Sequence, residues 1–393
     1  MSAEYDVAIA GGGIVGAACA YACARRGLKV ALVERDVLGS GATAAGMGHI
    51  VVMDDSEAQF ALTRYSQQLW RELAPRLPAS AEYEPRGTLW VAADAEEMDA
   101  AERKCAWYAE RSVPCRLVTA GALHDEEPNL AKGFAGGLLV PEDGVVYPPA
   151  VALYLAEEAQ KLGAAIMIGR PVTQVGEGQL TLEDGSAVRG AHVVLALGAD
   201  STRVRPDLPI RKRKGHLVIT DRYPGFVRHQ LVELGYLKSA HSTSADSVAC
   251  NIQPRQTGQL LIGSSRQFGA EHAGVDQAIL SAMLARAAVY VPSIASLSAI
   301  RVWTGFRAAT PDKLPLIGPD GHDARLLLAT GHEGLGISTS LGTAELIADM
   351  LTGRSSAITR EPYLPERYAL ESESKNEGKH EVDWSHAGVD DGV

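Results

Sequence analysis

The chain has 393 residues, 46% of them hydrophobic and 22% charged, with a formal net charge of −11 at pH 7. That length is enough to bury a large core in two domains, and the composition is that of an ordinary globular protein. The acidic balance argues against nucleic acid or an anionic membrane surface as the main partner.

An apolar strand from Val7 runs into Gly11, Gly13 and Gly16, a helix of small residues follows to Arg26, and a second strand from Lys29 to Val33 ends on Glu34. In such a turn the first glycine permits the tight bend, the second lets backbone approach a pyrophosphate, and the third allows close helix–strand packing. The helix N-terminus then offers unpaired N–H groups to the phosphates. Glu34 falls 23 residues after Gly11, where a carboxylate can accept the ribose hydroxyls of an adenosine. Dinucleotide contacts are therefore expected from Gly11, Gly13, Ile14, Val15 and Gly16, and from Glu34 with its neighbour Arg35. A competing reading takes residues 7–24, uncharged and with Gly12 and Gly16 at GxxxG spacing, as a membrane helix or signal sequence. Three consecutive glycines weaken such a helix, and Glu4 and Asp6 stand where a signal peptide carries positive charge.

The next segment, Gly39–His49, is built almost wholly of small residues. A nicotinamide enzyme normally proceeds here to another crossover, whereas such a loop suits backbone pressed against a bulky flat ring system. Ser40, Gly41, Ala42, Thr43, Gly46, Met47 and Gly48 are accordingly taken as flavin and pyrophosphate contacts, a flexible loop being the alternative.

Ser56–Leu77 has the pattern of an amphipathic helix carrying Phe60, Leu62, Tyr65, Leu69 and Trp70. Gly87–Ala93 is a strand, Glu96–Arg111 a charged surface helix, and Leu138–Pro148 a strand and turn feeding a helix over Ala150–Leu162. Short strands follow at Ala164–Ile168, Val172–Val175 and Leu180–Leu182. Gly190–Gly198 is continuously apolar, as in a strand buried on both faces. The basic run Arg211–Lys214 suggests a solvated face. Between 211 and 305, short alternating strands (His216–Thr220, Ser247–Ile252, Gln259–Gly263) accompany one helix, Asp276–Tyr290, which implies a mostly antiparallel sheet. Leu326–Ala329 is a final buried strand, and Gly342–Leu351 a helix closing at Gly353.

The fold class is thus α/β: a Rossmann-type FAD-binding domain with an inserted, mostly antiparallel substrate domain. The first is assigned to residues 1–85, 146–210 and 315–368, the second to 86–145 and 211–314. The tail from 369 to 393 is polar, with Trp384 its one anchor-like residue, and its composition is that of a disordered segment. Five cysteines, an odd number with no CxxC pair, include Cys19 and Cys23 on the first helix, which fit buried small side chains better than half a metal site. No metal site is expected. Reduced thiols and the absence of a signal-peptide pattern point to the cytoplasm, with no transmembrane segment.

Two further motifs lie towards the C-terminus. Trp303-Thr-Gly-Phe-Arg307 leads through Asp312 to Gly318, and Gly331-His-Glu-Gly-Leu-Gly336 follows the strand Leu326–Ala329. With the N-terminal glycines, these segments resemble the D-amino-acid-oxidase-type family of FAD-dependent oxidoreductases, which includes glycine and sarcosine oxidases. The segments Gly331-His-Glu-Gly-Leu-Gly336, Gln253-Pro-Arg-Gln-Thr-Gly258 and Gly263-Ser-Ser-Arg266 are most similar to one subgroup, the flavin subunits of D-hydroxyproline dehydrogenase, hydrogen cyanide synthase and opine oxidases. The resemblance implies that Arg307 binds the substrate carboxylate, as the matching arginine does in glycine and D-amino acid oxidases; a guanidinium forks onto a carboxylate in two parallel hydrogen bonds. A structural ion pair, perhaps with Asp312, is the alternative. Glycine oxidase carries a further arginine where this chain has Glu333-Gly334-Leu335, so Glu333 either faces a substrate ammonium or another cation, or is a solvated loop acid. Gly305 occupies the place of the cysteine of covalently flavinylated sarcosine oxidases, which implies non-covalent FAD. Val172 matches a residue at the adenine, Gly198 ends a strand at the cofactor, and Gly331, Gly334, Leu335, Gly336 and Ile337 are implied to approach the isoalloxazine. His49 and His332 are the histidines nearest the flavin, each either a catalytic group or a packed, hydrogen-bonded one.

The activity implied is oxidation of an amino or imino acid at its α-carbon, with hydride passing to flavin N5 and no obligate side-chain base. The subgroup implies a dehydrogenase that hands electrons to partner subunits or a quinone, with peripheral attachment at the inner membrane through those partners. Two other readings stay open. One is a 2-hydroxy acid oxidase with His49 or His332 as base; the other is a non-catalytic FAD relay subunit, which would need no carboxylate clamp.

Overall fold

The computed structural model describes residues 4–235 and 246–368; the polar tail read over 369–393 lies outside the described residues. In chain order the strands are β1 (Tyr5–Ala10), β2 (Val30–Glu34), β3 (His49–Ile50), β4 (Thr88–Ala92), β5 (Arg116–Thr119), β6 (Gly136–Val140), β7 (Gly144–Val145), β8 (Ala165–Ile168), β9 (Val172–Gly176), β10 (Gln179–Leu182), β11 (Ala187–Leu195), β12 (Arg211–Thr220), β13 (Gln230–Glu233), β14 (Ser247–Pro254), β15 (Leu260–Phe268), β16 (Ala299–Ala309), β17 (Leu316–Pro319) and β18 (Leu326–Thr330).

The first sheet runs β17-β18-β11-β1-β2-β8, with β10 and β9 added beside β11. Its central pairings, from β18 through β11, β1 and β2 to β8, are all parallel. Parallel strands covered on both faces must be apolar throughout, and Val7–Ala10, Val30–Val33 and Val193–Leu195 are all 0% exposed. On one face lie the first helix (Ile14–Arg25), Pro148–Lys161 and Gly336–Thr352, packed around Ala17, Ala20, Leu155 and Ile347. The first helix is made of small residues because it sits so close to the sheet. At Gly16 an added Cβ would lie 1.9 Å from the Gly11 carbonyl oxygen, so nothing larger fits. Cys19 and Cys23 are buried in this layer, and burial pushes both thiols up, that of Cys23 to about 12.

The second sheet runs β16-β12-β15-β14-β13-β4-β6-β5. It is antiparallel apart from the β4–β13 pair, as the alternating patterns between 211 and 305 imply. The helix Gln277–Tyr290 closes one face through Leu280, Met283, Ala287 and Tyr290; the opposite face is a wall of the cavity described below. Among the described residues no helix is long and apolar enough to cross a membrane.

Several local expectations change. The helix after Ser56 stops at Leu73 and gives way to a short 3-10 turn containing Pro75, which cannot continue the hydrogen-bond ladder. The last long helix starts at Gly336, not Gly342, and ends on Gly353 at φ 65°. Trp303–Arg307 belongs to the long strand β16. The basic run is not a solvated face: Arg211 is exposed, but Arg213 is 5% and Lys214 0% exposed, because β12 is an inner strand of its sheet. Cys105 and Cys115, unremarkable by spacing, bring their sulfurs within 2.9 Å.

Candidate active site

A cavity of about 660 Å³ is lined by both sheets. At its nucleotide end Gly11 adopts φ +103°, and a Cβ there would stand 2.5 Å from the Ala196 carbonyl oxygen. Gly13 precedes the first helix and offers no side-chain cap; the Ile14 N–H donates instead to Thr43 Oγ1 at 3.0 Å. The start of that helix is thereby fixed against the Gly39–His49 loop while Gly11, Gly13, Ile14 and Val15 face the cavity. Glu34 is 7% exposed; one carboxylate oxygen accepts from Gly12 N (2.6 Å) and the other from Asp36 N (2.8 Å). Each oxygen keeps a further lone pair for a ribose hydroxyl. Arg35 pairs with Asp36 and Asp200, and Asp200 also receives Lys212 from β12, so an ion-pair chain ties the two sheets at this end.

The loop of small residues is folded. Ala42–Ala45 forms one helical turn, and β3 pairs with β7. Gly48, at φ +107°, could not carry a Cβ, which would lie 2.0 Å from the Val146 carbonyl oxygen. Every residue expected at the cofactor lines the cavity except Gly16, which is withdrawn behind Gly11 and serves packing alone. Val172 and Gly198 line it, as do Ser40–Thr43 and Gly46–Gly48. A glycine cradle at a helix N-terminus, a buried carboxylate, and a small-residue wall leading to a second helix N-terminus fit an FAD.

At the far end, Gly331, Gly334, Leu335, Gly336 and Ile337 face the cavity where the helix Gly336–Thr352 begins. His332 turns its Nε2 to Thr343 Oγ1 at 3.0 Å, and burial lowers its pKa to about 4. His49 Nε2 meets Thr88 Oγ1 at 2.7 Å, and the Thr88 hydroxyl donates to Asp143 Oδ2 at 2.6 Å. Asp143 is 0% exposed and its other oxygen accepts from Gln67 Nε2 and Val52 N. Burial raises Asp143 to about 7, against the lowering effects of Thr88, Val52 N–H and Lys104, and burial lowers His49 to about 3. Both histidines are therefore neutral hydrogen-bonding groups.

Arg307 on β16 stands opposite Arg213 on β12. Its guanidinium lies across Gly215, where a Cβ would be 2.6 Å from Nη1, and Nη1 donates to the Ser265 carbonyl at 3.0 Å. The ion pair considered with Asp312 does not form, since Asp312 takes Arg367 and the Tyr368 hydroxyl at 2.6 Å each. Among the described residues Arg307 forms no ion pair. Glu333 is no solvated loop acid. It pairs with Arg213 at 2.8 Å and accepts from Gly334 N at 2.6 Å. Burial would raise its carboxyl, but Arg266, Arg213 and Arg307, with the Gly334 N–H, hold it at about 2. Arg213, Arg266, Lys313 and Ser264 line the same end and were not singled out as site residues. The only signals for them were the basic run and the Gly263–Arg266 segment; which face each residue takes follows from strand pairing.

The family model described as FAD dependent oxidoreductase matches residues 6–350. Glycine oxidase of Geobacillus kaustophilus is 29% identical over 378 residues, covering 92% of this chain and 97% of the relative. Hydrogen cyanide synthase subunit HcnC of Pseudomonas protegens is 26% identical, covering 94% and 97%. The crystal structure of the Geobacillus kaustophilus glycine oxidase superposes with a TM-score of 0.83 at 28% identity, covering 93% of this chain and 99% of that one. The L-proline dehydrogenase of P. horikoshii shares the fold, with a TM-score of 0.85 at 22% identity over 94% of this chain and 99% of its own. The glycine cradle, the cavity that runs from it to Arg307, and the match over nearly all described residues lead to one conclusion: this chain belongs to the FAD-dependent oxidoreductase family typified by D-amino acid oxidase.

Proposed function

We propose that the protein oxidises an amino or imino acid, a primary or secondary amine of the glycine or D-hydroxyproline kind, to the imine. The observation that carries this reading is Arg307, a guanidinium facing the cavity with no carboxylate partner among the described residues. FAD, when bound, supplies the acceptor for a hydride from the substrate Cα. Arg307 would hold the carboxylate in a two-pronged hydrogen bond and so fix which Cα substituent points at the ring. The N-terminus of the helix Gly336–Thr352 would favour negative charge on its side of the cavity.

FAD would be held without a covalent bond. Gly305 offers no nucleophile, an added Cβ there would meet the Ala45 Cβ at 2.4 Å, and no cysteine is among the cavity-lining residues. Similarity to a hydrogen cyanide synthase subunit supports a dehydrogenase that passes electrons to partner subunits or a quinone. Oxidation of a 2-hydroxy acid would require a base, and the candidates His49 and His332, lowered to about 3 and about 4, are poorly suited to it.

Anaerobic bleaching of the flavin by D-hydroxyproline, D- and L-proline, sarcosine, glycine, an opine and 2-hydroxyglutarate tests the reading. Reduction by an amine supports it, and reduction by the hydroxy acid alone overturns it. Arg307→Ala should raise KM by about 100-fold or more, the scale of a charge-assisted bidentate contact, with flavin still bound. Unchanged kinetics would remove Arg307 from the carboxylate role.

A further inference from the structure

Of the five cysteines, Cys19 and Cys23 are 0% exposed and Cys250 is 1% exposed. Burial pushes these three thiols up, which leaves them inert. Cys105 and Cys115 differ from them. Both are partly exposed, both are free, and their sulfurs stand 2.9 Å apart.

The backbone sets up this approach. Cys105 lies in the helix Ala95–Glu110, and Cys115 directly precedes β5, the outermost strand of the second sheet. Between them Ser112 takes φ +56°, and the Ser112 and Val113 N–H groups donate to the Ala109 and Tyr108 carbonyls. That left-handed residue ends the helix and turns the chain back along it. The turn is held from outside as well. The Ser112 carbonyl accepts from Arg64 Nη2 at 2.9 Å, Val113 is 2% exposed, and Pro114 narrows the backbone freedom just before Cys115. The Cys115 thiol donates to the Cys105 carbonyl at 3.3 Å, which keeps its sulfur against the helix. Sulfurs so placed need less than about 1 Å of movement to bond.

We propose that Cys105 and Cys115 form an oxidation site, at which hydrogen peroxide converts the two thiols into one reversible disulfide that fastens the helix Ala95–Glu110 to β5. The Cys105 sulfur attacks one peroxide oxygen, so an S–O bond forms and the O–O bond breaks. The second oxygen leaves as water with the thiol proton, and Cys105 becomes a sulfenic acid. The Cys115 sulfur then attacks that sulfur; the S–S bond forms, the S–O bond breaks, and a second water carries off the Cys115 proton. Two thiols are oxidised and one peroxide is reduced. Burial and the contact with Cys105 push Cys115 up to about 12, which suits it to the second, resolving step. The bond would matter most at this edge, because β5 pairs with β6 alone. None of this depends on the amine-oxidation reading.

The test treats the FAD-loaded protein with hydrogen peroxide, then unfolds it, alkylates its thiols and maps the peptides. Three thiols should react, the five of the chain less the bonded two, and the map should join Cys105 to Cys115. Dithiothreitol should restore all five. The oxidised protein should melt roughly 3 °C higher, the scale of a short-loop disulfide in a chain of this size, and the gain should vanish on reduction. Cys105→Ser and Cys115→Ser, both mild changes, should keep the original Tm with peroxide present. Cys115→Ser should also hold Cys105 as the sulfenic acid, which dimedone labels. Five reactive thiols after peroxide, a link between any other pair, or a linked form with unchanged Tm overturns the site. Dimedone labelling of Cys115 in Cys105→Ser, with none of Cys105 in Cys115→Ser, overturns the order of the two steps.

Discussion

Glu333 shows how one side chain can be over-determined by its surroundings. It sits at φ +48°, a left-handed conformation that few non-glycine residues adopt. Arg213 and the Gly334 N–H hold the carboxylate there. Its folded value of about 2 lies below the ordinary 4.5, so the stabilisation it contributes is present above pH 4.5 and is lost as pH falls towards 2. Glu333→Gln should therefore flatten the loss of stability across that interval in urea unfolding, and an unchanged acid limb would show that the pair contributes nothing. Asp143 offers a second test at this scale. When ionised it accepts from Thr88, which leaves the Thr88 oxygen to accept from His49 Nε2–H and makes Nδ1 the lone-pair nitrogen. In Asp143→Asn the carboxamide NH₂ takes the position of that oxygen and donates to Thr88, whose hydroxyl must then donate to Nε2. The expected outcome is a reversed His49 tautomer, read from imidazole ¹⁵N chemical shifts; the same tautomer in both proteins would break the proposed chain.

Among the elements, β12 positions the chemistry of the second sheet. It lies between β16 and β15, and its Gly215 is the gap across which Arg307 reaches the Ser265 carbonyl. No positive φ demands a glycine there, and the three atoms nearest an added Cβ all belong to the flexible end of Arg307. Gly215→Ala should fold normally with FAD bound yet displace the guanidinium, raising KM for the carboxylate substrate about tenfold or more; unchanged KM would mean that Arg307 acts from another position. The nucleotide half of the site was legible in the sequence because its geometry is local: Gly11, Gly13, Thr43 and Glu34 come from one continuous strand–helix–strand–loop. The opposing wall was not. Residues 213, 266 and 307 meet only through the pairings of β15, β12 and β16, and alternation along one strand does not say which face a partner will cover. Arg211–Lys214 looked solvated for the same reason, since charge in an isolated run carries no sign of the inner-strand position that buries Arg213 and Lys214.

At the scale of the whole molecule, the cavity belongs to both sheets. Arg35–Asp200–Lys212 joins them at the adenosine end and Arg213–Glu333 joins them at the substrate end, while His49–Thr88 ties the separate β3–β7 ribbon to the second sheet. A cofactor that fills the space between them should stabilise both sheets together, because it binds only the folded arrangement. At 100-fold excess over Kd such binding contributes about 2.7 kcal/mol, which for a chain of this size corresponds to a Tm increase of roughly 3 °C. Apoprotein given FAD should show that increase in a single transition. Gly11→Ala should begin from a lower Tm and show no increase, because its Cβ would press on the Ala196 carbonyl where the pyrophosphate turn is tightest. Arg307→Ala should keep the full increase, since Arg307 is assigned to substrate and not to nucleotide. Loss of the FAD-induced shift in Arg307→Ala would transfer that residue from the carboxylate to the cofactor, and the amine-oxidation reading would lose the side chain that carries it.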